Sequence, residues 1–234
     1  MTHAWPNTSE SSQHRWLDRQ GELLASLKVQ PFLLVVRPDQ ADLMNHGDPE
    51  TGSPLLAQLA TLEASGLRHL EVAWSSHPGW SRLVEAIRSS FPSLALGAAS
   101  VTERPALDDL ERLALPYAMS PCWDSTLQGE ARSRGLLVVP GVFSPTEVMQ
   151  AMQVGCRLVK LFPAATLGPA YWARLRSPLG HLPSVIAAGG LAPSDLETWL
   201  KAGHDAVALG RAAVQTSTIH PELLTLLRAS TTRE

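Results

Sequence analysis

The sequence predicts a TIM barrel, a single α/β domain of eight β/α units with an extra helix before the first strand. Along 234 residues, eight short apolar runs alternate with helix-like segments. Strands that are apolar throughout are typical of a parallel sheet covered on both faces, and a spacing of about 25 residues suits a (β/α)8 barrel. An open doubly wound sheet is the alternative, which the lack of a GxGxxG motif after an early strand disfavours.

The elements can be assigned in chain order. Residues 1–12 are polar and are expected to form a flexible segment, while residues 13–234 form the single domain. A helix over 13–29 has apolar residues for one face. The long loop 38–53 is expected to be a disordered insertion, with a lid over the barrel mouth as the alternative. The predicted strands are PFLLVV (31–36), HLEVAW (69–74), LALGAA (94–99), LPYAMS (115–120), LLVVPG (136–141), LVKLFP (158–163), SVIAAG (184–189) and DAVALG (205–210).

Start and stop signals support the helices between these strands. The segments 144–147 (SPTE) and 193–197 (PSDLE) each open a helix, because Ser, Asp and Pro are typical of a first turn. Both helices are followed by a glycine, Gly155 or Gly203, as helix C-termini often are.

Composition and charge exclude several classes of partner. The formal net charge of -3 gives no basic field for nucleic acid. No apolar stretch approaches the roughly 20 residues that span a bilayer, and the first residues lack a secretory signal. Cys122 and Cys156 are interpreted as free thiols, which indicates a reducing, cytoplasmic compartment. The eight histidines show no metal-ligand spacing, so no metal or cofactor is expected.

Lys160 is the most informative charged residue. Of the lysines Lys28, Lys160 and Lys201, only Lys160 lies in an apolar, strand-like run, LVKLF. A buried ammonium group loses hydration, so the pKa of Lys160 should fall. A lysine that is partly neutral near pH 7 can attack a carbonyl and form a Schiff base. The alternative is a lysine that extends to the rim or pairs with a carboxylate.

Glu71 is the second charge within an apolar strand, between Leu70 and Val72. Buried acids are rare without a partner, so a structural ion pair with Lys160 inside the barrel is one interpretation. The other is catalytic: Glu71 moves protons, directly or through a water, while Lys160 forms an imine. Because the two strands face each other across a barrel, the pair favours catalysis.

Further candidates lie at the carboxyl ends of the strands, where barrels carry their active groups. Gly189 and Gly190 let backbone amides approach an anion, and Arg211 can bind a phosphate, although a tight turn also explains a glycine pair. Cys122 has no histidine placed to activate it and is interpreted as a passive thiol. The candidates for the mouth are Arg37, Ser100, Pro121, Phe162, Gly189, Gly190, Gly210 and Arg211.

These segments resemble the KDPG/KHG aldolase family, class I aldolases that cleave 2-keto-3-deoxy-6-phosphogluconate (KDPG) or 4-hydroxy-2-oxoglutarate (KHG). The resemblance covers about residues 14–215. Its order and spacing are highly specific. The segments that carry it are LLVVR (33–37), LRHLEVAW (67–74), LGAASV (96–101), AMSP (118–121), VVPGVFSPTEVMQAMQVG (138–155), VKLFPAATLGPAYWARLRSPLGHLPSV (159–185), AAGGLAPSDLETWLKAG (187–203) and AVALGRAAV (206–214).

The resemblance implies roles for residues of this chain. Lys160 matches the Schiff-base lysine of the family's K-x-F-P motif, and Glu71 matches the proton-transferring glutamate of its L-E-[VI] motif. Arg37 matches an arginine that contacts substrate, and Ser100 stands where the family has threonine. The family also implies a homotrimer that needs no metal. The residues that match the lining of the pyruvate pocket are Pro121 and Phe162.

Three departures from the family pattern concern substrate binding more than imine chemistry. After the seventh strand the family has P-T-G-G, so the threonine hydroxyl that contacts the pyruvyl group is replaced here by Ala188. Soon after the glutamate motif some members have arginine or another polar residue, where this chain has Trp74, Ser75 and Ser76. After the eighth strand the family commonly has serine, where this chain has Arg211.

The predicted activity is a retro-aldol cleavage that releases pyruvate from a 2-keto-4-hydroxy acid. The expected partner is thus a small 2-keto acid, either phosphorylated or not. The change at Ala188 motivates an alternative, a non-catalytic or altered-specificity barrel that binds a phosphorylated or keto-acid metabolite. An aldolase for a related sugar acid, such as the galactonate isomer, is a third hypothesis.

Overall fold

The computed structural model describes residues 8–45, 53–215 and 218–231. Within these residues, nine parallel strands form a nearly closed barrel. The strands are Phe32–Val36 (β1), His69–Ala73 (β2), Ala95–Ala99 (β3), Ala118–Met119 (β4), Val138–Val139 (β5), Gly141–Val142 (β6), Leu158–Leu161 (β7), Ser184–Ala188 (β8) and Ala206–Leu209 (β9).

The ring closes through β5 and β6, which are two parts of one run interrupted at Pro140. Strand order around the barrel is β5-β4-β3-β2-β1-β9-β8-β7-β6. β5 pairs with β4, whereas β6 pairs with β7 through Gly141 and Lys160. Pro140 has no N–H, but its carbonyl accepts the backbone N–H of Lys160 at 2.9 Å. The nine strands thus occupy eight positions, and the predicted TIM barrel is confirmed.

Helices follow the strands and cover the barrel, with one helix in front of β1. A 3-10 turn, Pro193–Asp195, precedes the tenth helix, and a short antiparallel pair, Val214–Gln215 (β10) with Thr218–Ile219 (β11), follows β9. The helices are Glu10–Val29 (α1), Gln40–Asn45 (α2), Pro54–Ala64 (α3), Gly79–Ser90 (α4), Arg104–Arg112 (α5), Ser125–Ser133 (α6), Pro145–Gln153 (α7), Ala164–Leu167 (α8), Tyr171–Leu179 (α9), Leu196–Lys201 (α10) and Pro221–Thr231 (α11).

Local signals in the sequence determine the ends of α7. Ser144 caps the helix by accepting the backbone N–H of Glu147, and the Glu147 carboxylate accepts the backbone N–H of Ser144 in return. This reciprocal capping satisfies amide groups that the first turn leaves unpaired. The chain leaves the helix at Gly155, whose φ of 85° is one that glycine adopts without strain. The predicted start and stop of this helix are confirmed.

The two segments expected to lack structure contain helix. Helix α1 begins at Glu10, where Ser9 accepts the backbone N–H of Ser12, so it overlaps the flexible segment 1–12 by three residues. Residues 1–7 lie outside the described residues. Within the loop 38–53, residues Gln40–Asn45 form α2, and 46–52 also lie outside the described residues. The prediction of a disordered insertion is wrong for α2.

Helix α1 lies across the amino-terminal ends of the barrel strands. Gln20 accepts the backbone N–H of Arg157, just before β7, at 2.7 Å. Ser26 forms a 2.6 Å hydrogen bond with Nε2 of His69, the first residue of β2. Apolar side chains of α1 are buried in the same direction, with Leu27 only 1% exposed. The helix therefore closes this end of the barrel and leaves the carboxyl ends of the strands for the mouth.

Candidate active site

A cavity of about 370 Å³ opens at the carboxyl ends of the strands. All ten residues selected from the sequence line this one cavity, although they come from seven different segments of the chain. They are Arg37, Glu71, Ser100, Pro121, Lys160, Phe162, Gly189, Gly190, Gly210 and Arg211. The structure thus brings the whole predicted set together at the mouth of the barrel.

Lys160 is held in the interior by strands on both sides. In β7 it pairs with Gly141 of β6 and with Ile186 of β8. The residue is 7% exposed, and it lines the cavity. Burial disfavours the ammonium form and lowers the pKa of Lys160 to about 8, although the Glu71 carboxylate opposes this shift. Nζ lies 5.1 Å from the centre of the Phe162 ring.

Glu71 is buried in β2, where it pairs with Val35 of β1 and Gly97 of β3. Its carboxyl group lines the cavity, but the Oε1 atom is buried without a hydrogen-bond partner. Burial raises the pKa of Glu71 to about 8, while the positive charges of Lys160 and Arg37 pull the pKa downward. Desolvation therefore outweighs the attraction of both cations.

The Glu71 carboxyl and the Lys160 amine interact electrostatically but do not form an ion pair. In the part of the chain that the structure describes, Glu71 and Lys160 form no ion pair within 4.0 Å, so the structural pair considered from the sequence is not formed. Their pKa values meet near 8 from opposite directions. Burial thus favours the neutral amine that attack on a carbonyl requires.

Backbone geometry places the groups around this pair. Ser100 follows β3 with a φ of 62°, a left-handed conformation that is uncommon for serine and occurs at ligand-binding sites. Pro121 reaches the cavity because Gly141 lets the two segments touch: a Cβ on Gly141 would lie 2.3 Å from the Pro121 carbonyl group. Arg37 and Arg211 are exposed at the rim, where they also border a second cavity of about 290 Å³.

Gly189 and Gly190 are required by their surroundings. Their φ angles are 94° and 81°. A Cβ on Gly189 would lie 2.8 Å from the Phe162 ring, and one on Gly190 would lie 2.9 Å from the Cβ of Ala165. Two successive glycines with positive φ allow the backbone to approach a bound anion closely.

Several cavity residues were not selected from the sequence. Ala208 and Thr166 line the cavity, but small residues at strand ends and in connecting turns carry no distinctive signal.

Cys122 is exposed, and its thiolate form would raise the pKa of Lys160. Burial raises the pKa of the other thiol, Cys156, to about 12.

Two features typical of other classes of protein are absent from the described ranges. Among residues 8–45, 53–215 and 218–231, no group of three or more His, Cys, Asp or Glu side chains is arranged to hold a metal ion. No helix within those ranges is both long and apolar enough to cross a membrane.

The family model for KDPG and KHG aldolase matches residues 50–227 of the chain. The chain belongs to the KDPG and KHG aldolase family. The match spans every strand from β2 to β9, together with nine of the ten residues selected for the cavity. The family membership that the sequence motifs indicate is thus confirmed.

Named relatives of the KDPG and KHG aldolase family are similar over most of their own length. The 2-dehydro-3-deoxy-6-phosphogalactonate aldolase of Escherichia coli K12 is 30% identical over 161 residues, which are 68% of this chain and 78% of that protein. The 2-dehydro-3-deoxy-phosphogluconate aldolase of Pseudoalteromonas atlantica is 28% identical over 141 residues, 59% of this chain and 64% of that protein.

Solved structures show the same fold. KDPG aldolase from Legionella pneumophila, with pyruvate captured as a covalent carbinolamine, has a TM-score of 0.69 at 22% identity and covers 88% of this chain and 97% of its own. A native KDPGal structure has a TM-score of 0.68 at 22% identity, with coverage of 86% and 93%.

Proposed function

We propose that this protein is a class I aldolase that cleaves a KDPG-type or KHG-type 2-keto-4-hydroxy acid to pyruvate and an aldehyde through a Schiff base on Lys160. The observation that carries the proposal is the pair of buried groups, Lys160 and Glu71, which line one cavity and have pKa values moved to about 8 from opposite directions. Such displaced values are what an amine nucleophile and a proton-transferring acid need.

The reaction begins when neutral Lys160 attacks the C2 ketone of the substrate. Loss of water gives a protonated imine, which withdraws electrons from C3. Glu71, directly or through a water, removes the proton from the C4 hydroxyl, and the C3–C4 bond breaks. The bonding pair moves into the imine to form an enamine, and the aldehyde leaves. Glu71 then returns a proton to C3, and hydrolysis of the imine releases pyruvate.

Groups around the pair supply orientation. Arg37, the Ser100 hydroxyl and nearby backbone amides bind the substrate carboxylate at the rim of the cavity. Gly189, Gly190, Gly210 and Arg211 bind a distal phosphate when the substrate carries one, because backbone amides and a guanidinium favour that anion. The cavity of about 370 Å³ is of a size that accommodates a small phosphorylated acid.

The configuration at C4 of the substrate gives a second candidate. The 30% identical relative from Escherichia coli is named for the phosphogalactonate substrate, which differs from the gluconate form at C4. We therefore include 2-dehydro-3-deoxy-6-phosphogalactonate beside KDPG and KHG as a substrate to be tested.

The Schiff base is tested by reduction with borohydride in the presence of pyruvate, followed by mass spectrometry of the digested protein. We expect the label on Lys160, and we expect Lys160→Met to lose it. Lys201 serves as a matched control, because it is exposed and paired with Glu197 at 2.6 Å; Lys201→Met should keep the label. A label at another lysine, or none in active protein, would count against the mechanism.

Turnover distinguishes an aldolase from a non-catalytic barrel. KDPG, its galactonate isomer and KHG are each mixed with the protein, and pyruvate release is coupled to lactate dehydrogenase. We expect release from at least one of them. A ligand that raises the melting temperature without releasing pyruvate would instead support a binding protein.

The proposed assembly is the homotrimer that the family resemblance implies. Two large apolar side chains, Phe143 after β6 and Met149 on α7, are 43% and 45% exposed in the isolated chain. Sedimentation at several concentrations tests the proposal, which predicts a mass three times that of the chain.

A further inference from the structure

Tyr117 occupies the barrel interior over β3, the strand next to that of Glu71. It immediately precedes β4, and its ring fills the space above Gly97 of β3: a Cβ on Gly97 would lie 2.6 Å from the ring. Gly97 is the register partner of Glu71, and neighbouring partners in a parallel sheet point to the same face. The Tyr117 ring and the Glu71 side chain therefore both face the barrel interior, from the strands on either side of β3.

Both side chains have a polar atom without a partner. The Tyr117 hydroxyl and the Glu71 Oε1 atom are each buried and form no hydrogen bond, and the two residues are 3% and 1% exposed. A buried polar atom without a partner is costly. One atom is a donor and the other an acceptor, so each can satisfy the other.

We propose that Tyr117 is a positioning residue for Glu71: its hydroxyl donates a hydrogen bond to Oε1 and so directs the other carboxyl oxygen into the cavity toward substrate. No hydrogen bond joins the two atoms in the structure, so the proposed contact requires a change of side-chain torsion or a bridging water. The inference rests on the proposed function, because it assigns Tyr117 to the proton transfer that Glu71 performs there.

The charges around Glu71 are consistent with this role. Lys160 and Arg37 face the carboxyl from β7 and from the end of β1. On its own strand, His69 lies two residues earlier, and its Nε2 is bonded to Ser26 of α1. Burial, together with the Glu71 charge, raises the pKa of Tyr117 well above its usual value. The phenol therefore stays protonated and can donate throughout the pH range in which the carboxyl titrates.

A purely structural role makes a different prediction. If Tyr117 only fills the gap above Gly97, its ring is sufficient and its buried hydroxyl destabilises the fold. Tyr117→Phe keeps the ring and removes the hydroxyl, so it separates the two roles. Tyr171→Phe is the matched control, because Tyr171 is the other tyrosine of the chain and donates at 2.7 Å to the Phe143 carbonyl outside the cavity.

The experiment follows exchange of the pyruvate methyl hydrogens with D2O by proton NMR across pH 5 to 9, because exchange requires the enamine and hence the proton transfer by Glu71. Without the hydroxyl, the carboxylate loses a stabilising donor and its pKa rises. We expect the rising limb of the pH profile to move up by about one unit in Tyr117→Phe, which slows exchange about tenfold on that limb. Borohydride trapping at saturating pyruvate stays unchanged.

The outcomes are distinguishable. A profile of Tyr117→Phe equal to that of Tyr171→Phe, together with an unchanged or raised melting temperature, overturns the inference and leaves the aldolase proposal intact. Loss of trapping together with exchange, in a folded Tyr117→Phe protein, also overturns it, because the hydroxyl would then act on imine formation. If the unaltered protein neither traps nor exchanges, the proposed function fails and the inference with it.

Discussion

Lys160 and Glu71 lie in one apolar interior, and neither carries its charge freely. Burial disfavours the ammonium and the carboxylate alike, so both pKa values move toward about 8. The state with a neutral amine and a neutral acid then competes with the doubly charged state. At the scale of the residue, the proposed reactivity of Lys160 is therefore a consequence of where the barrel places it and of which acid faces it.

A hydroxyl at position 188 should improve pyruvate binding. Ala188 lines the cavity at the end of β8 and is 6% exposed, and Ala188→Thr restores the group that the family pattern has there. A hydrogen bond between neutral groups contributes about 0.5–1.5 kcal/mol. We expect a severalfold lower pyruvate concentration for half-maximal borohydride trapping. Ala57→Thr, at an exposed position of α3 outside this cavity, adds the same group and should not help; equal effects would contradict a specific contact.

Arg211 should distinguish phosphorylated from unphosphorylated substrates. Its guanidinium is exposed at the rim of the cavity, where a charge-assisted hydrogen bond to phosphate is partly screened by solvent. We expect Arg211→Ala to raise KM for KDPG about tenfold and to leave KM for KHG unchanged. The exposed Arg174 of α9 provides the control, Arg174→Ala. Equal rises for both substrates would show that Arg211 binds the shared pyruvyl part instead.

At the scale of elements, contacts between distant turns shape the mouth. Gly141 in β6 lies against the backbone of the segment after β4 and so sets the position of Pro121 at the cavity wall. In the same way, Gly79 at the start of α4 leaves room for the backbone of Leu43 in α2. These approaches are possible because the glycines have no side chain.

Gly141→Ala should therefore reduce both stability and activity. Its Cβ would lie 2.3 Å from the Pro121 carbonyl group, which is backbone and not the end of a flexible side chain. We expect a loss of about 1–3 kcal/mol in the free energy of unfolding, measured by urea denaturation, and a lower rate of pyruvate release. Gly21→Ala is the control, because a Cβ there meets nothing within 4 Å and alanine favours the helix. A Gly141→Ala protein as stable and active as the control would contradict this account.

At the scale of the whole molecule, the sequence was sufficient for the barrel and for the set of residues at its mouth. Apolar runs identify buried strands, and a charge inside such a run is unusual enough to identify Lys160 and Glu71. The helix α2 within the loop 38–53 could not be predicted, because its position depends on the close approach of Leu43 to Gly79. The setting of Tyr117 could not be predicted either, because a tyrosine in an apolar run is ordinary and its relation to Glu71 depends on the register of β2 and β3.

The buried pair should also affect how the stability of the fold depends on pH. The pKa of Glu71 is raised from 4.5 to about 8, so its contribution is fully present below pH 4.5 and is lost as pH rises to about 8. The pKa of Lys160 is lowered from 10.5 to about 8, so its contribution is present above pH 10.5 and is lost as pH falls to about 8. The two groups together make the fold least stable near pH 8.

This dependence is measured as the melting temperature of the unaltered protein minus that of a variant carrying Glu71→Gln and Lys160→Met. The variant lacks both titrating groups but keeps similar volumes. We expect the difference to fall between pH 5 and 8 and to rise again between pH 8 and 10. A difference that changes in one direction only across this range would show that one of the two groups is not desolvated.

The position of α1 affects where reactants and products enter and leave the barrel. Because that helix covers the amino-terminal ends of the strands, we expect reactants and products to use the same opening at their carboxyl ends. In the proposed mechanism the pyruvyl half stays attached to Lys160 after the C3–C4 bond breaks, whereas the aldehyde half is free to leave. We therefore expect strictly ordered departure, aldehyde first, with pyruvate competing against the incoming acid and the aldehyde inhibiting noncompetitively.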